Sequence, residues 1–148
     1  MSSPNKPPNK PPTNCTPARL IKPDRGKIYV AGPYTFSGEG KLATYAQRDR
    51  NVQRAARIAE RLRKAGWTPF LPHSLYSGWN EALGGLIFEG RAGHTEVMVQ
   101  CLRWIELCDA LIRLPGYSPG SDFEAAHATQ RGIPVYSPAD MPELVRRA

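Results

Sequence analysis

Apolar residues change their spacing from one segment of this chain to the next, and those changes divide it into elements. Lys27–Ala31 (KIYVA) is rich in β-formers and runs into Gly32-Pro33, the pattern of a buried strand ending at a turn. A polar loop with Gly38 and Gly40 follows. From Ala46 to Lys64 the period becomes helical. Val52, Ala55, Ala59 and Leu62 fall on one face, and Gly66 is placed to stop the helix. Trp67–Leu71 reads as a short second strand, punctuated by Pro69 and closed by Pro72. Residues 73–93, with His73, Trp79 and a glycine-rich run from Gly84 to Gly93, fit neither period. They read as a long loop of the functional or mobile kind. Thr95–Cys108 is a second predicted helix, with Val97, Cys101, Trp104, Ile105 and Cys108 on its inner side. Asp109–Leu114 is a third strand, Pro115–Gly120 a loop, Ser121–Arg131 a third helix and Ile133–Tyr136 a fourth strand. A final short helix begins near Ala139.

Strands alternating with helices imply right-handed crossovers and a parallel sheet covered on both faces. The predicted fold is therefore α/β, a Rossmann- or flavodoxin-like three-layer sandwich with four to five parallel strands. Ligands bind such sheets beyond the carboxyl ends of the strands. That directs attention to the loops after Ala31, Leu71 and Leu114.

The 148 residues suit one domain. Residues 1–26 hold seven of the fifteen prolines and no apolar run, so they are expected to form a disordered arm ahead of a domain at 27–148. The arm carries five basic residues against Asp24, or +4 of the net +7, leaving +3 for the domain. A basic arm can touch nucleic acid, and so can the stripe Arg50, Arg54, Arg57, Arg61 and Lys64 on the first helix. No aromatic residues interleave with that stripe, and a solvated face is its default explanation. Cys15, Cys101 and Cys108 form no disulfide framework, and no secretory or membrane-spanning stretch is evident. A cytoplasmic protein with no membrane contact is expected.

Leu114–Glu124 (LPGYSPGSDFE) leaves a strand and enters a helix, whose exposed N–H groups favour an anion. Ser118 and Ser121 add hydroxyls, and Glu124 falls in the first predicted turn, where the helix dipole favours its ionised, nucleophilic form. Ser121-x-x-Glu124 is equally a capping box, in which the glutamate only satisfies a backbone N–H. Tyr34, just past the first strand, can orient a carboxylate or bond a sugar, or can simply cap the sheet. His73 follows the second strand, and His127 lies one turn after Glu124, able to face the same cleft. Together with His94, no pair has metal-ligand spacing, and neither metal nor cofactor is expected.

Taken together, IYVAGPYT at 28–35, the Asn51-led helix, FLPHS at 70–74, LCDALIRLPGYSPGSDFE at 107–124 and GIPVY at 132–136 resemble the nucleoside 2-deoxyribosyltransferase-like superfamily. The similarity spans nearly all of 27–136 and looks closest to a small, phage-associated branch, related to nucleoside 5′-monophosphate N-glycosidases. The resemblance implies cleavage of the N-glycosidic bond of a nucleoside or nucleotide, with Glu124 attacking the anomeric carbon. Tyr34 matches a tyrosine that helps hold nucleophile and sugar, and Gly32 and Gly120 match positions lining sugar or phosphate. Pro33, His73, Asp109, Gly116, Ser118 and Ser121 complete the expected substrate-binding set. A homo-oligomer, dimer or larger, is also implied.

Two departures matter. Cys101 stands where family transferases carry an aspartate that assists the leaving base, eight residues before Asp109. Ser118, six before Glu124, matches the phosphate-binding serine of related hydrolases rather than the aspartate of transferases. The leading expectation is thus an N-glycosidase or deoxyribosyltransferase. An inactive nucleotide-binding module, favoured by Cys101, and a nucleic-acid-associated basic protein are the alternatives.

Overall fold

A computed structural model describes residues 24–34, 43–83 and 90–146, with 90–94 as backbone only. Residues 1–23 of the arm predicted over 1–26, the loop glycines Gly38 and Gly40, residues 84–89 and the side chain of His94 lie outside the described residues. Four strands, β1 (Gly26–Ala31), β2 (Trp67–Phe70), β3 (Ala110–Arg113) and β4 (Val135–Tyr136), form one sheet in the order β2-β1-β3-β4. Every pairing is parallel, with Ile28 opposite both Pro69 and Ala110. β2 is an edge strand, where a proline costs no ladder hydrogen bond.

Alternation along the strands sends side chains to two different cores. Ile28, Val30, Ala110 and Ile112 pack on one face against Ala55, Ala59 and Leu62 of α1 (Tyr45–Lys64). Met141 and Leu144 of α5 (Met141–Leu144) complete that layer. Tyr29, Ala31 and Leu111 point the other way. They meet Tyr76 of α2 (Pro72–Ala82), Cys101 and Ile105 of α3 (Gly90–Glu106), and Ala128 of α4 (Pro119–Gln130). The three-layer α/β sandwich read from the sequence is therefore present, with four strands.

Several boundaries differ from the sequence reading, each for a local reason. Residues 73–82, expected in a loop, lie in a helix that begins at Pro72, which supplies a preset φ in the first turn. α3 begins at Gly90 rather than Thr95. α1 starts one residue early because Thr44 and Gln47 form a reciprocal capping box. A 3-10 turn at Pro138–Asp140 precedes α5, so that helix starts after Ala139. Residues 24–26 belong to the folded part rather than the arm. Gly26 opens β1, and Arg25 donates to the Leu144 carbonyl at 3.0 Å and to that of Arg146.

Candidate active site

A cavity of about 290 Å³ lies at the carboxyl ends of β1 and β3, between α2, α3 and the start of α4. The loops after three strands converge there, as the parallel topology requires.

Ser118 is the N-cap of α4. Its Oγ accepts the Ser121 N–H at 3.1 Å and donates to Ser121 Oγ at 2.9 Å, and Pro119 is the first helical residue. The helix thus starts two residues before the predicted Ser121, which moves Glu124 into the second turn. Its carboxylate is no longer a capping partner. Instead Glu124, 7% exposed, accepts a hydrogen bond from the Tyr29 hydroxyl and lines the cavity. The dipole argument for a readily ionised Glu124 fails with the cap. Burial pushes its pKa up to about 7, opposed by the Tyr29 hydrogen bond and the charge of Arg113.

Tyr29 is the residue that the sequence reading missed. A phenol in an otherwise aliphatic buried strand has to find an acceptor, and that was the available signal. Burial first, then the charges of Glu124 and Cys101, raise the Tyr29 pKa well above the ordinary phenol value, so it stays a donor. Cys101 lines the same wall, near enough to Tyr29 to help raise its pKa. Burial and the neighbouring Glu124 push the Cys101 thiol up to about 12.

Tyr34 lines the cavity, but its hydroxyl donates to Ser77 Oγ at 3.1 Å. The tyrosine that holds Glu124 is therefore Tyr29, and not Tyr34 as the resemblance implied. His73, expected to be a weak candidate, is buried and on the wall. Its Nε2 faces the Gly32 carbonyl at 2.9 Å and that of Pro33 at 3.2 Å. Two carbonyl acceptors require a proton on Nε2, which leaves Nδ1 as an acceptor with no hydrogen-bond partner among the described residues. Burial pushes the His73 pKa down, so the ring is a neutral clamp on the β1 exit.

Gly32, Gly120 and Ser121 line the cavity with Ser118 and Glu124. Pro33 and Gly116 stand behind it. Gly116 has φ +118°, and a Cβ there would lie 2.8 Å from Pro33 Cγ, so glycine lets the two loops touch. Arg54 donates to the Pro115 carbonyl and Arg113 to that of Gly116, both at 3.0 Å, bracing this loop from either side. Asp109 does not belong to the site. It precedes β3 at the opposite end of the sheet, exposed, with Oδ2 accepting the Lys27 N–H at 2.8 Å. His127 turns outward to Glu106 at 3.0 Å instead of facing the cleft. Among the described residues no cluster of three or more His, Cys, Asp or Glu could hold a metal ion.

No family model matches this chain, and no curated protein matches it. Among solved structures, a 2-deoxyribosyltransferase from the psychrotolerant bacterium Bacillus psychrosaccharolyticus is similar to it. The two are 24% identical, with a TM-score of 0.49, over 76% of this chain and 72% of that one.

Proposed function

We propose that this protein cleaves the N-glycosidic bond of a nucleoside or nucleoside 5′-monophosphate, with Glu124 as the nucleophile. The observation that carries this reading is one carboxyl, the only buried one among the described residues, set in the wall of a small-molecule cavity. An oxocarbenium-like transition state is well served by a carboxylate close to the anomeric carbon. The burial of Glu124 strengthens that attraction, because little water competes for its charge. Tyr29 orients the attacking oxygen through its hydroxyl. The start of α4, with Ser118, Gly120 and Ser121 on the wall, suits the 5′ end of the substrate. Water or a second base then takes the sugar from the glycosyl ester.

Free-base release from nucleosides and their 5′-monophosphates, followed by chromatography with and without an acceptor base, tests the proposal. Release without acceptor identifies a hydrolase, and exchange with added base identifies a transferase. Binding without any release would instead favour a catalytically silent nucleotide-binding module, the reading that the protonated Cys101 supports.

Ser118→Ala is expected to weaken 5′-monophosphates more than nucleosides in kcat/KM, and to cost about 1 kcal/mol through the lost cap. Equal losses for both substrate classes would remove the phosphate role. Self-association into a dimer or larger is also part of the proposal. Leu75, Trp79 and Leu83 form an i, i+4, i+8 stripe along α2 and its C-cap, 41%, 48% and 46% exposed. Light scattering should give at least twice the chain mass, and Trp79→Glu should shift it to monomer. A monomeric wild type would exclude the assembly. No described helix is long and apolar enough to cross a membrane. A reducing cytoplasm, the proposed location, would keep Cys101 as a thiol.

A further inference from the structure

The described walls of the cavity carry one carboxyl, Glu124, and the rings of Tyr29, Tyr34 and Tyr76, with no lysine or arginine among them. Around Glu124 and these three rings the electrostatics favour a cation, because aromatic faces and a carboxylate both attract positive charge, whereas the start of α4 serves the 5′ end of the substrate. Among the described residues of these walls, protons for a leaving base are in short supply as well. The hydroxyls of Tyr29, Tyr34 and Tyr76 donate to Glu124, Ser77 and Gln100, and the His73 N–H faces the Gly32 carbonyl. Cys101, beside Tyr29, holds its proton too tightly to transfer it to a ring nitrogen. A neutral nucleobase leaves as an anion unless it is protonated. A base with a fixed positive charge leaves neutral.

Resting on the glycosidase reading above, we propose that this site selects N-glycosides whose base is a quaternised heteroaromatic cation, such as a pyridinium or a 7-alkylpurine. A Glu124 carboxylate oxygen forms a bond to C1′ while the C1′–N bond breaks. The electron pair of that bond passes to the ring nitrogen and cancels its positive charge. The neutral base departs without taking up a proton. Water then bonds to C1′, the ester C1′–O bond breaks to restore the carboxylate, and one proton passes to solvent. No oxidant or reductant takes part, and the aromatic walls hold the charge before the bond breaks.

The test measures kcat/KM for nicotinamide riboside and 7-methylguanosine against reduced nicotinamide riboside, guanosine and adenosine. Each is assayed with its 5′-monophosphate and divided by its own uncatalysed rate, which removes the intrinsic lability of the cations. Enhancement at least ~100-fold greater for the cationic members, and lost in Glu124→Gln, is expected from the size of the missing general-acid contribution. Equal or greater enhancement for guanosine and adenosine overturns this inference and leaves the glycosidase reading standing. Silence across the whole panel overturns both. Cys101→Asp supplies a carboxylic acid at the wall and should raise turnover of the neutral nucleosides by about 10-fold or more. A folded variant that still spares them overturns the role given to the absent acid, and the wild-type panel decides the matter if that variant fails to fold.

Discussion

Glu124→Gln should reduce base release on the order of 10⁴-fold or more in kcat, the scale on which enzymes lose activity when their nucleophile is removed. The same substitution should make the protein more stable, and increasingly so as pH rises. The Glu124 pKa of about 7 in the folded protein lies above its ordinary value of 4.5, so between those limits the native state binds the extra proton. Stability from this group is therefore fully present below pH 4.5, falls as pH rises towards 7, and is flat above that. The total change is on the order of 3 kcal/mol at 1.36 kcal/mol per unit. Glutamine is neutral throughout and escapes the penalty, while its carbonyl can still accept from Tyr29. Thermal or urea melts at pH 5 and pH 8 should show a small difference at the first and a gain for the variant at the second. No gain at pH 8 would mean that the buried carboxyl ionises as freely in the folded chain as in the unfolded one. Retained base release would remove Glu124 from the chemistry.

The acid limb of kcat/KM should fall at an apparent pKa near about 7, because attack requires the carboxylate and burial delays its formation. Tyr29→Phe should move that limb to higher pH. The Tyr29 hydrogen bond lowers the Glu124 pKa, and without it the desolvated carboxylate is harder to form. Leaving a buried carboxyl without its donor should also cost about 1–3 kcal/mol of stability. Tyr34→Phe provides the contrast. Its hydroxyl donates to Ser77, so its loss should change KM and leave the limb in place. If Tyr34→Phe moves the limb and Tyr29→Phe does not, the role assigned to Tyr29 is wrong.

The same two tyrosines show where residue pattern stops being informative. Tyr34 stands at a strand exit, where parallel sheets place their ligands, so position made it the natural candidate. Tyr29 sits inside β1, fully buried, and looks in sequence like one more core residue. What distinguishes it is the acceptor at the other end of its hydroxyl, 95 residues away in the chain. Glu124 follows the same logic. Ser121 and Glu124 have capping-box spacing, but Ser118 takes the cap, and only the true start of α4 shows that the carboxylate is free to turn inwards.

Asp109 failed for a topological reason. A residue just before β3 and one just after it lie at opposite ends of the sheet, however close they are in number. The helix over 72–82 was hidden because its apolar residues are divided between the core and the surface. Tyr76 is buried, whereas Leu75 and Trp79 are exposed, which blurs the helical period.

Local chemistry along the chain was enough for the alternation of strands and helices, and with it the parallel sheet and the three loops that meet at one edge. Those follow from hydrophobic period, Gly and Pro placement and right-handed connection, all properties of short segments. Which side chains share the cavity, which tyrosine holds the carboxyl, and the rise of the Glu124 pKa to about 7 were decided by the packing of α3 and α4 against β1. Desolvation and hydrogen bonding depend on neighbours distant in sequence, and those neighbours exist only once the sheet and its helices have come together.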